Sequence, residues 1–405
     1  TSTFPPTFQK LSLSPIMTLD ELRGSLSRAA HTDRNSFRPE ILRASSPSDA
    51  ARMQALAIGG VCVHDELQAQ LIELVRCLNP ARRYTKDELL GAVAEHLAGR
   101  DPLTYGVWVY YPWANKLVHL LDEAEFAQVR TDRNRNKITR EEQAVLSTKK
   151  VGVIGLSVGQ SVALTMALER SFGEIRLADF DTLDLSNLNR IRSGVHELGT
   201  PKVINTAREI AELDPFLKVT VFEEGMTRNN MDQFFCDGGN LDILVEECDS
   251  VDIKILARQK AKALRIPVVM DTSDRGLIDV ERFDLEPERP IMHGYMEHLD
   301  LSVAEREMTP TKKYDYIMSM VDIHSLSERM KSSLPEIGLS IMTWPQLGGH
   351  VTLGGALTSE LCRRIHLKDM NWSGRWYIDL EELLVKEAST LLPQKEVIQQ
   401  FTFKS

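Results

Sequence analysis

The spacing of apolar residues along this chain changes near residue 130. Before that point, leucines recur at helical spacing over residues 67–78, and a second helical pattern covers Lys86–Leu97. Two β-prone runs around a Pro/Asn turn, between Gly106 and Leu121, predict a hairpin. Together these elements predict a small N-terminal α+β domain over residues 1–129.

From residue 130 onward, short apolar runs alternate with amphipathic stretches, which is the pattern of a parallel sheet between helices. We therefore predict an α/β fold, Rossmann-like and doubly wound with a mainly parallel sheet, over residues 130–405. The predicted strands are Lys150–Ile154, Glu174–Ala178, Val219–Phe222, Leu241–Glu246 and Pro267–Met270. The predicted helices are Gly159–Arg170, Pro201–Leu213 and Ile253–Leu264.

The first strand and helix of this region are joined by a loop of small residues. Because Gly155 and Gly159 have no Cβ, the backbone can approach a phosphate, and the helix N-terminus presents unpaired N–H groups. Ser157 and Gln160 stand where the full glycine pattern has glycines, so a tight turn that binds nothing is the alternative.

A carboxylate follows the next strand. Asp179 lies twenty-four positions after Gly155, where it can accept hydrogen bonds from ribose hydroxyls. The loop and Asp179 together indicate a nucleotide, but they do not distinguish ATP from NAD.

Donors that suit a triphosphate come next along the chain. Asn187 and Arg190 lie one helical turn apart, and Thr200 and Pro201 are expected to cap and start a helix that directs Lys202 from its first turn. A triphosphate that loses pyrophosphate needs such cations, whereas a hydride-transfer cofactor does not. The alternative is that Arg190 and Lys202 are solvated surface charges.

Asp249 lies just past the carboxyl end of a predicted buried strand, where ligands of open α/β sheets bind. A carboxylate there suits Mg²⁺ bound to phosphate oxygens. Its alternative role is to cap the helix that follows.

These motifs resemble the ThiF/MoeB superfamily of adenylyltransferases, whose fold is shared by sulfur-carrier activators and ubiquitin-activating enzymes. The resemblance covers about residues 130–271, and its most specific part is the block from Ser186 to Arg190. The first 120 or so residues look like an N-terminal extension seen in longer bacterial members. The departures are Ser157 in place of a usual glycine, Ser250 in place of Asn, and the absence of paired CxxC motifs.

The resemblance implies a role for each matching residue. Asp179 would hold the ribose of ATP, and Asp249 would hold Mg²⁺. Arg133 would be a finger that reaches an ATP phosphate, and it would cross into the partner's site of a twofold homodimer. The nucleotide-binding set would be Gly155, Ser157, Gly159, Asp179, Asp181, Asn187, Arg190 and Lys202, with Arg133, Arg190, Lys202 and Asp249 as the catalytic residues.

Composition narrows the class of partner. The chain has 405 residues, 42% of them hydrophobic, and a net charge of −10, with no long basic run. Nucleic acid and membrane are therefore not expected as partners. Thr1–Met17 lacks the pattern of a signal peptide, and the five cysteines form no CxxC pair, so we expect a cytoplasmic protein with free thiols.

We therefore predict an enzyme that uses ATP to activate a carboxylate as its acyl-adenylate, the carboxylate belonging to a peptide, a carrier protein or a small acid. An NAD(P)-dependent oxidoreductase and a non-catalytic nucleotide-binding module are the alternatives. The polar segment from Asp271 to Gly276 is expected either to face the acyl substrate or to be a turn that leaves the sheet.

Overall fold

The computed structural model describes residues 18–28, 33–302, 316–320 and 323–385. The chain divides into two compact units, Thr1–Arg34 and Asn35–Ser405. In the first unit, helix α1 (Leu19–Arg28) carries acidic residues in its first turn, which favours helix formation by opposing the positive end of the helix dipole. The candidate functional residues lie in the second unit.

The second unit begins with a four-stranded sheet of order β1-β3-β4-β2. Its strands are β1 (Glu40–Leu42), β2 (Cys62–Asp65), β3 (Val107–Tyr111) and β4 (Lys116–Leu120). Strands β3 and β4 pair antiparallel around a short 3-10 turn, which confirms the predicted hairpin. Helices α2 (Pro47–Ile58), α3 (Leu67–Leu78) and α4 (Lys86–Leu97) accompany this sheet, and the last two were predicted. The domain boundary near residue 130 stays a prediction.

A seven-stranded sheet of order β11-β10-β9-β8-β5-β6-β7 follows, in which the five strands from β9 to the edge strand β7 are parallel. The strands are β5 (Lys150–Ile154), β6 (Glu174–Ala178), β7 (Lys218–Phe222), β8 (Ile243–Glu246), β9 (Val268–Asp271), β10 (Leu277–Glu281) and β11 (Gly374–Tyr377). The helices are α5 (Glu123–Arg130), α6 (Arg140–Leu146), α7 (Gly159–Glu169), α8 (Lys202–Leu213), α9 (Met231–Cys236), α10 (Val251–Leu264), α11 (Glu328–Ser333), α12 (Gly348–His366) and α13 (Leu380–Val385). This arrangement confirms the predicted fold class.

The chain order of the strands reverses at β5. After β5 the chain adds β6 and β7 on one side, and then β8 and β9 on the other. Such a switch point leaves a crevice at the carboxyl ends of the two diverging strands, β5 and β8.

Small residues bring helices close to this sheet. A Cβ on Gly159 would lie 2.7 Å from a methyl of Val153 on β5, and a Cβ on Gly355 would lie 2.2 Å from Oγ of Ser161 on α7. These glycines therefore allow α7 to pack tightly between β5 and α12. No helix among the described residues combines the length and the apolar character needed to cross a bilayer.

The start of α8 differs from the prediction. Pro201 has φ −54° and ψ 135°, so it precedes the helix, which starts at Lys202. The Thr200 hydroxyl donates to Glu197 Oε2 at 3.0 Å, so it does not cap α8. The predicted cap was therefore wrong, although Lys202 does lie in the first turn.

Candidate functional site

An open cavity of about 830 Å³ lies at the carboxyl ends of β5, β6 and β8. Eight of the ten site residues predicted from the sequence line it: Gly155, Ser157, Asp179, Asp181, Asn187, Arg190, Lys202 and Asp249. The two others, Gly159 and Arg133, are not among its lining residues.

The Gly155 loop is held against the end of the neighbouring strand. Gly155 has φ +86°, and a Cβ there would lie 2.6 Å from Glu247 O and 2.7 Å from Cys248 N. Its own N–H donates to Ala178 O at 2.9 Å, and Glu247 N–H donates to Ile154 O at 2.8 Å. Glycine is thus required here by backbone packing as well as by the positive φ.

Asp179 organises two loops of the cavity. Its Oδ2 accepts from Leu156 N–H at 2.6 Å, and its Oδ1 accepts from Asp181 N–H at 2.8 Å. Burial raises the pKa of Asp179, which the charge of Lys202 opposes. The carboxylate is therefore fixed between the end of β6 and the loop after β5.

Lys202 is anchored by Asp181. The ammonium of Lys202 donates to Asp181 Oδ2 at 2.7 Å, and its side chain is only 7% exposed, whereas that of Asp181 is 51% exposed. Because its side chain is almost entirely buried, Lys202 is not the solvated surface charge that was the alternative.

Arg190 is held over the loop by its neighbours. Its Nε donates to Ser157 Oγ at 2.9 Å, and one terminal nitrogen donates to Asn189 Oδ1 at 2.9 Å. Burial lowers the pKa of Arg190, and the charge of Asp249 opposes this. Asn187, which is buried, accepts from Asp184 N–H through Oδ1 at 3.0 Å and lines the same cavity.

Asp249 is exposed at the cavity. The N-cap position of α10 is occupied by Ser250, whose hydroxyl donates to Asp252 Oδ1 at 2.7 Å and makes no capping hydrogen bond to the backbone. Asp249 therefore does not cap α10, which was its alternative role.

A model of the ThiF family matches residues 131–296 of this chain. Residues 131–296 form a ThiF family domain. An uncharacterized protein of Mycobacterium tuberculosis, MT1398, is 43% identical over 290 residues, which is 71% of this chain and 40% of that protein. The tRNA threonylcarbamoyladenosine dehydratase of Bacillus subtilis is 27% identical over 154 residues, 38% of this chain and 60% of that enzyme.

A third relative, the molybdopterin-synthase adenylyltransferase of Haemophilus influenzae, is 23% identical over 149 residues. That match covers 36% of this chain and 60% of the enzyme. The chain thus spans less than two thirds of the length of each of these relatives.

Several residues of the ThiF domain that line the cavity were not predicted from the sequence. Phe180, which is 73% exposed, lies between the two predicted aspartates, and residues 224–229 follow β7 at the same edge of the sheet. Their position after a strand end was a usable signal, because carboxyl ends of parallel strands meet at one edge.

Two adjacent glutamates at the end of β8 also went unnoticed. Burial alone would raise the pKa of Glu246, but Lys254 and Arg258 lower it to about 2. Burial, together with the charge of Asp271, raises the pKa of Glu247, which lines the cavity. No spacing rule singles out such a pair, since its environment is built by α10 and β9.

Arg133 lies near the start of the ThiF domain, on the single 3-10 turn Asp132–Asn134, and is exposed. Within one copy of the chain it is not brought to the cavity. Its role as a finger stays a prediction that requires a second copy.

Proposed function

We propose that this chain catalyses ATP-dependent adenylylation of a carboxylate. The observation that carries the proposal is the convergence of Arg190 and Lys202, both held by hydrogen bonds, beside the Gly155 loop in the cavity that Asp249 also lines. The adenylyltransferase from Haemophilus influenzae among its relatives is consistent with this chemistry.

In the proposed reaction, a carboxylate oxygen of the substrate attacks the α-phosphorus of ATP. A bond forms between that oxygen and the phosphorus, and the bond from the α-phosphorus to the oxygen of the leaving pyrophosphate breaks. The product is an acyl-adenylate, a mixed anhydride that a nucleophile can attack in a later step. No proton needs to move in the first step, so electrostatics and positioning are the main requirements.

The cavity residues divide these tasks. Asp179 would accept hydrogen bonds from the ribose, while the backbone around Gly155 and Ser157 would approach the phosphates. Arg190, Lys202 and the amide of Asn187 would stabilise the negative charge that develops on pyrophosphate as it leaves. Because Arg190 and Lys202 are already held in place, little reorganisation is needed during the reaction.

The carboxylate of Asp249 suits Mg²⁺, which prefers oxygen ligands and is held in proteins by one or two carboxylates together with phosphates. Bound Mg²⁺ would supply further positive charge to the phosphate oxygens. The substrate is proposed to be a peptide, a carrier protein or a small acid that bears the reacting carboxylate.

The test is ATP–pyrophosphate exchange with a panel of carboxylates. Arg190→Ala, Lys202→Ala and Asp249→Ala should each lower exchange by about a hundredfold or more, because the first two remove a cation that stabilises the departing group and the third removes the proposed ligand of Mg²⁺. Lys260→Ala is the matched control, since Lys260 pairs with Asp232 away from the cavity and its loss should leave exchange unchanged.

Wild-type exchange in all three variants would defeat the proposal. Reduction of NAD(P) by the wild-type chain would favour an oxidoreductase instead. Nucleotide binding without exchange for any carboxylate would favour a non-catalytic module.

A further inference from the structure

A second, smaller cavity of about 140 Å³ lies where the turn between β9 and β10 meets the start of α12. We call it the acyl pocket. Its apolar walls are Met330, Pro345, Leu347, Leu353, Ile378 and Leu380. The polar segment Ser273–Gly276, which the sequence analysis singled out, forms one side.

Two charged residues at the edge of the acyl pocket, Asp274 and Arg275, are already engaged. The Asp274 carboxylate accepts from Ser327 N–H at 2.9 Å and from the Ser327 hydroxyl at 2.6 Å. Arg275 donates to Asp379 Oδ2 at 2.7 Å and to Ser325 O at 2.8 Å. These pairings leave an interior that suits an apolar group better than a charged one.

One short segment joins the acyl pocket to the nucleotide cavity. Leu347 lines the pocket, while the carbonyl of its neighbour Gln346 accepts from Asn189 Nδ2 at 2.8 Å. On the other side of Leu347, a Cβ on Gly348 would lie 2.7 Å from Asn189 O. Since Asn189 Oδ1 also holds Arg190, the pocket wall and the phosphate cation share one support.

The volume of the pocket indicates the size of its occupant. An apolar cavity of about 150 Å³ binds benzene, so 140 Å³ corresponds to about five or six heavy atoms. A branched side chain of about four carbons, such as that of leucine, fits this volume.

We propose that the acyl pocket binds the apolar side chain next to the reacting carboxylate, so that this chain selects acids or peptide ends with a leucine-sized apolar group. This inference rests on the proposed function, because it assumes that the carboxylate lies between Arg190 and the pocket. It assigns the Ser273–Gly276 turn to the substrate side of the protein.

The first measurement is direct binding by isothermal titration calorimetry, with N-acetyl-L-leucine and N-acetylglycine as probes and no turnover required. The wild-type chain should bind the leucine derivative at least about tenfold more tightly, because each methylene in such a pocket changes affinity by about tenfold or more. Leu353→Phe fills the pocket and should abolish this preference.

Leu353→Ala is the second variant, in case the larger side chain prevents folding. It enlarges the pocket and should shift the preference toward N-acetyl-L-phenylalanine. Leu357→Ala is the matched control, because it makes the same change one turn later on α12 in a residue that packs against the core rather than the pocket.

Equal binding of the leucine and glycine derivatives by the wild-type chain would overturn the proposal. So would an equal loss of preference in Leu353→Ala and Leu357→Ala. Selective binding without any pyrophosphate exchange would support the pocket while refuting adenylylation, so the two failures are distinguishable.

Discussion

At the scale of single residues, two glycines of the same loop have different tasks. Gly159 allows α7 to pack on β5, whereas Gly155 combines a positive φ with contact to the backbone of Glu247 and Cys248. The sequence predicted both as residues that let a phosphate approach. Only Gly155 lines the cavity. The sequence did not separate the two roles, because the position of Gly159 depends on how α7 packs on β5.

Gly155→Ala should therefore be strongly destabilising. The new Cβ would meet main-chain atoms that cannot rotate away, so we expect a loss of about 2 kcal/mol or more in the free energy of unfolding. Urea denaturation measures this value. Gly91→Ala is the control, because Gly91 lies within α4 with open space around it and the change should stabilise by about 0.5–1 kcal/mol. Equal stability of Gly155→Ala and the wild type would refute the packing argument.

At the scale of elements, the five parallel strands were predicted to within two residues, because they are short apolar runs bounded by turns. The antiparallel strand β10 was not predicted. Its residues Asp279 and Glu281 are buried, which breaks the apolar pattern, and they are paired with His293 and Arg258 from other elements. A single sequence does not reveal partners that only the tertiary structure brings together.

Glu209 on α8 gives a prediction about pH. Burial raises the pKa of Glu209 from 4.5 to about 7, although Asn205 donates to it. A carboxyl whose pKa is raised by folding stabilises the fold below its unfolded pKa, and this stabilisation is lost as pH rises through about 7. The free energy of unfolding of Glu209→Gln should therefore depend less on pH than that of the wild type. As pH rises from 5 to 8, the variant should gain roughly 2–3 kcal/mol of stability relative to the wild type.

Urea denaturation across that pH range measures the effect of Glu209→Gln. Glu95→Gln, which changes an exposed carboxylate on α4, should follow the wild type at every pH. Parallel pH profiles for Glu209→Gln and the wild type would contradict the prediction.

At the scale of the whole molecule, Arg133 is the predicted residue that one copy of the chain does not bring to the cavity. We expect it to act in the partner's site of a twofold dimer. Co-assembly of Arg133→Ala with Asp249→Ala should then restore about a quarter of the sites, since half of the dimers are mixed and each regains one intact site. Pyrophosphate exchange of the mixture, compared with each variant alone, measures this.

Two other outcomes bear on Arg133. Near-normal exchange in Arg133→Ala alone would mean that this exposed residue has no catalytic task. An inactive single variant whose mixtures recover nothing would place its action within one copy and remove the crossed arrangement.

The hydrogen bonds on both sides of the Gly155 loop also bear on the rate at which a nucleotide arrives. Gly155 N–H donates to the last residue of β6, and Glu247 N–H donates to the last residue of β5, so the loop opens only if these backbone hydrogen bonds break. A ligand that meets such a preformed loop binds without waiting for a slow isomerisation. Stopped-flow traces with a fluorescent ATP analogue should therefore be single exponentials, with a rate that rises linearly with concentration and shows no plateau.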